Sequence, residues 1–127
     1  MTISLQGAVL SHQGSRAGNY HESAIVNGHP SWINDFHGIW YDDGASDWIV
    51  GSIQDRGSGL AGIVSVGQGA ACPYNIASSN WDYWNNEWVS FSSSVMSVTC
   101  SQAKSKNHLA GNINELSKWF TKKYIIC

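Results

Sequence analysis

Residues 39–51, IWYDDGASDWIVG, read as aromatic strand, polar turn, aromatic strand. Ile39, Trp40 and Tyr41 run into an acidic, glycine-bearing tip, and Trp48, Ile49 and Val50 lead out of it. Aromatic and β-branched residues suit a pleated, half-buried surface, while Asp and Gly suit a tight reversal. Residues 81–91, WDYWNNEWVSF, repeat the plan, and five of the seven tryptophans lie in these two segments. The rest of the chain is expected to frame two Trp-rich hairpins held against each other. In the second, the turn at Asn85, Asn86 and Glu87 sets either Trp84 or Tyr83 opposite Trp88, depending on loop length.

On the N-terminal side, residues 2–10 hold Ile3, Leu5 and the run Ala8, Val9, Leu10, which predicts a first strand broken at Gly7. Residues 11–18 form a polar loop, and residues 20–26 a second short strand. Asn27 and Gly28 after Ile25 and Val26 carry a strong hairpin signal, because a type I′ turn needs positive φ at both central positions. Pro30 then opens the returning strand, where a missing N–H costs least. Beyond the first Trp hairpin, residues 60–66, LAGIVSV, form the least polar run and predict a buried strand. From residue 90 to 100, Phe91, Val95 and Val98 alternate with serines, as in a strand with one wet face. Together these elements predict an all-β domain over residues 1–103, an antiparallel β-sandwich or partly closed barrel built from hairpins.

The last stretch, 104–127, differs in kind and reads as a basic linker followed by a short C-terminal α-helix. Asn112 and Glu115 match a capping box, and Ile113, Leu116, Trp119, Phe120 and Tyr124 recur at helical spacing. Such a helix either docks on the domain or offers an amphipathic surface to a membrane or a partner. Charge supports docking. Up to residue 103 the only cations are Arg16 and Arg56, against eight carboxylates, whereas five lysines follow. An acidic body also argues against nucleic acid as a ligand, since phosphate binding requires a basic footprint. At 127 residues with 13% charged side chains and abundant aromatics, the chain is a folding domain and not a disordered segment.

No apolar run is long enough to span a membrane, and residues 1–14 lack the basic start and apolar length of a signal peptide. The expectation is either a cytosolic protein or one whose leader has been removed. Three cysteines make an odd count. Cys72 and Cys100 each sit at the edge of a β-like segment and could pair in a disulfide; the alternative is three thiols in a reducing compartment.

Taken in order, Gly18-Asn19-Tyr20, Asn27-Gly28-His29-Pro30-Ser31-Trp32, Ile39-Trp40-Tyr41, Trp48-Ile49-Val50-Gly51, Trp81, Trp84, Trp88-Val89 and Val98-Thr99-Cys100 form a pattern. It resembles a small Trp-rich β module of extracellular and multidomain proteins from marine algae, protists and cnidarians. The resemblance covers residues 18–100 and implies an all-β unit that is secreted or displayed at the cell surface. It implies no particular activity.

Aromatics set beside acids and amides are the one constellation with chemical content. The apolar face of a pyranose stacks on an aromatic ring, while its hydroxyls need fixed Asp, Asn or Gln partners. The candidate ligand-binding residues are Trp40, Asp43, Asp47, Trp48, Trp84, Asn85 and Asn86. About four of the seven tryptophans are expected to be structural, since a domain poor in Leu and Phe needs large side chains to fill its core. The carboxylates at 42, 43 and 47 could serve calcium, but Asp is also the ordinary choice for turn geometry, and no metal or other cofactor is assigned. Glu87 with Asp82 or Asp47 offers a carboxylate pair, yet nothing fixes its separation, and no nucleophile elbow, zinc motif or phosphate loop is present. The expected function is therefore non-enzymatic: a lectin-like module whose partners are glycans. The competing expectation is a structural or adhesion module that pairs with copies of itself, or with another protein, through exposed aromatics and the C-terminal helix.

Overall fold

A computed structural model describes residues 1–69 and 71–100. The predicted C-terminal helix and basic linker lie outside the described residues.

Two antiparallel sheets share one core. The smaller sheet has the order β10-β1-β2, with β1 at Thr2–Gly7, β2 at Gly18–Asn19 and β10 at Ser94–Thr99. The larger is a seven-stranded meander, β3 to β9 in sequence order. Its strands are β3 at His21–Glu22, β4 at Trp32–Ile33, β5 at His37–Asp42, β6 at Asp47–Ser52, β7 at Ile63–Ser65, β8 at Trp81–Trp84 and β9 at Trp88–Ser90. Among the described residues neither sheet closes into a barrel. This is the all-β, antiparallel, hairpin-built architecture that the sequence predicts.

Strand pleating divides the large sheet into two faces. Ile39, Tyr41, Trp48, Val50, Ile63, Trp81 and Tyr83 point inward and join Ile3, Leu5 and Met96 of the small sheet in the shared core. Aromatic contacts tie the strands there. Tyr41 lies edge-on to Trp48 at 5.5 Å, and Trp32 meets Trp48 at 6.0 Å. The opposite, outer face carries Trp40, Ile49, Val64, Asp82, Trp84 and Trp88, as fixed by the pairs Trp40↔Ile49, Ile49↔Val64, Val64↔Asp82 and Trp84↔Trp88.

One loop makes the outer face uneven. Residues 55–62 fold back across β5 and β6, and the Trp40 indole N–H donates to the Ser58 carbonyl at 2.9 Å. The close approach depends on Gly51. A Cβ there would stand 2.8 Å from the Leu60 carbonyl oxygen and 2.9 Å from the Trp40 ring. Trp40 is thereby sealed at 0% exposure although it points away from the core.

Several local expectations hold. Val26 bridges to His29 around Asn27 and Gly28, whose φ values of 52° and 81° are those of a type I′ turn. In the second Trp hairpin, Trp84 pairs with Trp88 across the three-residue loop, which resolves the open register.

Others need correction. The first strand stops at Gly7, and Leu10 belongs to a one-turn helix, α1 at Leu10–Gln13, continued by a 3-10 turn through Arg16. Gly7 has φ of 88°, which ends the ladder, and the Val9 N–H bonds to the Ser94 hydroxyl at 2.9 Å. Of the apolar run 60–66 only Ile63–Ser65 is strand; Leu60 and Val66 are exposed, because the chain before Ile63 is occupied in covering Trp40. In β10, Ser94, Met96 and Val98 face inward and Val95 outward, so the expected alternation is right for Val98 and wrong for Val95. Cross-strand register decides this: Ser94 pairs with Gly7 and Met96 with Leu5, so β10 turns the same face to the core as Leu5. Cys72 is buried in the shared core and Cys100 packs against it.

Candidate functional site: two grooves on either side of Trp88

The outer face of the large sheet is open where the 55–62 loop ends. Two shallow grooves lie there, of about 360 Å³ and 320 Å³, and share Gly59, Ala61 and Trp88. The Trp88 side chain lines both.

The first groove has an apolar floor of Ile49 and Val64, adjacent in the β6–β7 ladder. Its polar lining is acidic, with Asp42, Asp47 and Asp82. Asp42 and Asp47 face each other as the last pair before the β5–β6 turn, and Asp82 comes from β8. Each carboxylate is held differently. Asp42 accepts from the Gly44 N–H at 3.2 Å across the turn. Asp47 accepts from the Ser65 hydroxyl at 3.2 Å and the Gly67 N–H at 3.1 Å, which fastens the start of β6 to the end of β7. Ser65 in turn accepts from the Trp48 backbone N–H at 2.8 Å. Among the described residues no group of three or more His, Cys, Asp and Glu side chains is arranged to hold a metal ion.

The second groove is lined by Arg16, Ser52, Asp55, Leu60, Trp84 and Trp88, besides the shared loop residues. The Tyr20 hydroxyl donates to the Arg16 carbonyl at 2.6 Å and so anchors the backbone that presents this arginine. Burial pushes the Tyr20 hydroxyl up to about 12, partly opposed by the Arg16 charge, so it stays a donor at neutral pH. Beneath the groove, the Gln13 amide donates to the Trp84 carbonyl at 2.9 Å and ties the one-turn helix to β8.

Trp84 and Trp88 supply the aromatic surface. They pair across the hairpin on the outer face, edge to face with ring centroids 5.2 Å apart, and are 42% and 46% exposed. Both indoles are thus held by a neighbour and by strand geometry while keeping open area.

The residues expected from sequence fall into three groups. Trp40 and Trp48, at 0% and 2% exposure, offer no ring face to a ligand: one lies under the 55–62 loop, and the other is packed in the core with its indole N–H on the Ala71 carbonyl. Their assignment to binding is corrected to a structural role. Asp43 and Asn86 are exposed turn residues outside both grooves; Asn86 has φ of 61°, a conformation Asn tolerates well. Asn85 is half-buried in the same turn, its backbone N–H bonded to the Glu87 carbonyl at 2.9 Å. Only Asp47 and Trp84 reach the grooves, one in each.

Sequence reasoning missed Trp88, Asp42, Asp82 and Arg16. A signal existed for Trp88, since residues opposite each other across a hairpin share a face. None existed for Arg16, which arrives from the distant β1–β2 connection.

No known family model, curated protein sequence or solved structure matches this chain.

Proposed function

We propose that the protein is a non-enzymatic carbohydrate-binding module displayed outside the cell, with its site on the outer face of the large sheet. One observation carries the reading: a half-exposed Trp88 lines two adjoining grooves of sugar size, with Trp84 bracing it edge to face. Pyranose recognition needs a flat apolar surface and hydrogen-bond acceptors in fixed positions. Trp88 supplies the first, and the carboxylates of Asp42, Asp47 and Asp82 the second. Open, shallow grooves suit surface recognition of part of a longer chain and not enclosure of a small ligand.

A glycan array probed with the protein and with Trp88→Ala tests this. Selective binding that Trp88→Ala abolishes, with its unfolding midpoint unchanged, is the expected result, and a chelator should not weaken it. Silence from demonstrably folded protein would overturn the lectin reading for the glycans displayed.

A second reading has its own support. Among the described residues Trp88 lies on β9, the last strand of the large sheet, and an exposed aromatic beside a sheet edge is also a favourable anchor for another protein chain. On that reading the module is structural or adhesive and associates with copies of itself. Sedimentation across a hundredfold range of concentration distinguishes the two: self-association should weaken in Trp88→Ala and be indifferent to sugar.

A further inference from the structure

The two grooves differ in charge, and Arg16 is the cause. Up to residue 100 the chain has only two arginines and no lysine. Arg56 is exposed and donates to the Ser23 hydroxyl at 3.0 Å. Arg16 is half-buried in the second groove, and its guanidinium makes no hydrogen bond or ion pair among the described residues. Its Nε is sealed from solvent without an acceptor.

A desolvated guanidinium without an acceptor is costly, and proteins normally satisfy one with a carboxylate or a carbonyl. The surrounding structure nevertheless holds it there. The Tyr20 hydroxyl fixes the Arg16 backbone, and Gly62 leaves the space in which the Arg16 and Gln13 side chains lie. A Cβ at Gly62 would stand 2.7 Å from Arg16 Nε and 2.1 Å from Gln13 Oε1. Burial draws the guanidinium pKa down while the nearby Tyr20 and Asp55 draw it up, and arginine remains a cation throughout the physiological range. Asp55 and Ser52 share the groove and offer acceptors for hydroxyls. The first groove has three carboxylates and no cation in its lining.

We propose that the second groove is a subsite for an acidic sugar: Arg16 receives the carboxylate of a uronate unit stacked against Trp88, and the adjoining neutral unit lies across the indole beside Asp42, Asp47 and Asp82. The proposal rests on the glycan reading above and adds a ligand class and a direction. A planar guanidinium fork matches a carboxylate in two parallel hydrogen bonds, which a sugar hydroxyl cannot reproduce. Like-charge repulsion excludes the same carboxylate from the first groove, so the acidic unit has one place to go. Asp55 fixes the orientation within the groove, because the carboxylate is drawn to Arg16 and away from Asp55, which accepts from a ring hydroxyl instead.

Matched disaccharides test it, in the gluco, galacto and manno series. Each pair differs only in whether one unit ends in CH2OH or in a carboxylate, and affinities are read from tryptophan fluorescence and calorimetry. In at least one pair the uronate member should bind about tenfold tighter, a margin typical of a charge-assisted fork over neutral hydrogen bonds. Arg16→Gln should erase that margin, and Arg16→Lys should keep part of it. Raising the salt concentration should narrow it. Trp88→Ala should abolish binding of both members.

Equal affinity within every binding pair would overturn the acidic subsite and leave the glycan reading standing. So would an Arg16→Gln protein of unchanged unfolding midpoint that weakens both members alike, since Arg16 would then only shape the groove. No binding by either member of any pair would overturn both.

Discussion

The two Trp hairpins look alike in sequence and end in opposite situations. In the first, β5–β6, the aromatic residues are shut in on both faces: Tyr41 and Trp48 by the core, Trp40 by the loop that crosses it. In the second, β8–β9, Trp81 and Tyr83 are buried inward while Trp84 and Trp88 remain about half open on the outer face. Among the described residues the first hairpin occupies the middle of the large sheet and the second its edge. What separates them is place in the sheet and the reach of one loop, not local composition. The same aromatic turn is mortar in one position and a landing surface in the other.

Truncating an indole in each hairpin breaks the comparison most sharply. Trp48→Ala should cost about 3–5 kcal/mol, the usual range for emptying a large aromatic site in a core. Trp88→Ala should stay within about 1 kcal/mol, since half of that ring is already hydrated. Urea denaturation of both variants measures the difference, and equal losses would show that the edge hairpin is mortar as well.

Gly51→Ala probes the loop. Its methyl group meets the Leu60 carbonyl and the Trp40 ring, so the loop must lift or the sheet must shift. Overpacking of this sort costs about 1–3 kcal/mol. Trp40 should then become accessible to acrylamide, and its emission should move toward that of the outer indoles. Unchanged quenching would mean that the loop is held by contacts other than those over Gly51.

The smallest effect concerns acidity. His37, at the start of β5, has a buried Nδ1 with no hydrogen-bond partner among the described residues, and burial, aided by the Arg16 charge, lowers its pKa from the ordinary value of 6.5. The unfolded chain therefore takes up a proton before the folded one does. Stability associated with neutral His37 is complete above about pH 6.5 and is lost as the pH falls through the lowered folded value. Unfolding midpoints between pH 7.5 and about 5 should fall more for the parent than for His37→Gln. A parallel decline would assign the loss to other groups.

Much of the scaffold was legible because its signals are local. Asn27 and Gly28 announce their turn through backbone sterics, and the pleat sends about half of each Trp hairpin inward whatever surrounds it. The site was less legible, since its decisive facts are long-range. Nothing near Trp40 reports that Ser58 will lie over it, and nothing near Arg16 reports that it will stand beside Trp84. Val95 and Ser94 show the same limit within one strand: alternation gave the period, and pairing with β1 chose the phase. Neighbouring acids and amides point to Trp40, Trp48 and Trp84 for stacking, but exposure rather than such neighbours separates Trp88 from Trp48.

The pairing of β1 with β10 has a mechanical consequence. Thr2 lies opposite Thr99, so residues 2 and 99 leave the sheet side by side at one end of an antiparallel pair. A pulling force applied through those two positions loads the hydrogen bonds one rung at a time, from Thr2↔Thr99 toward Gly7↔Ser94, as a zipper opens. Shear, which would load all the rungs together, does not arise in that geometry. Under tension along the chain the unit should therefore yield at low force however stable it is in solution, and the small sheet should open before the Trp-rich sheet bears any load.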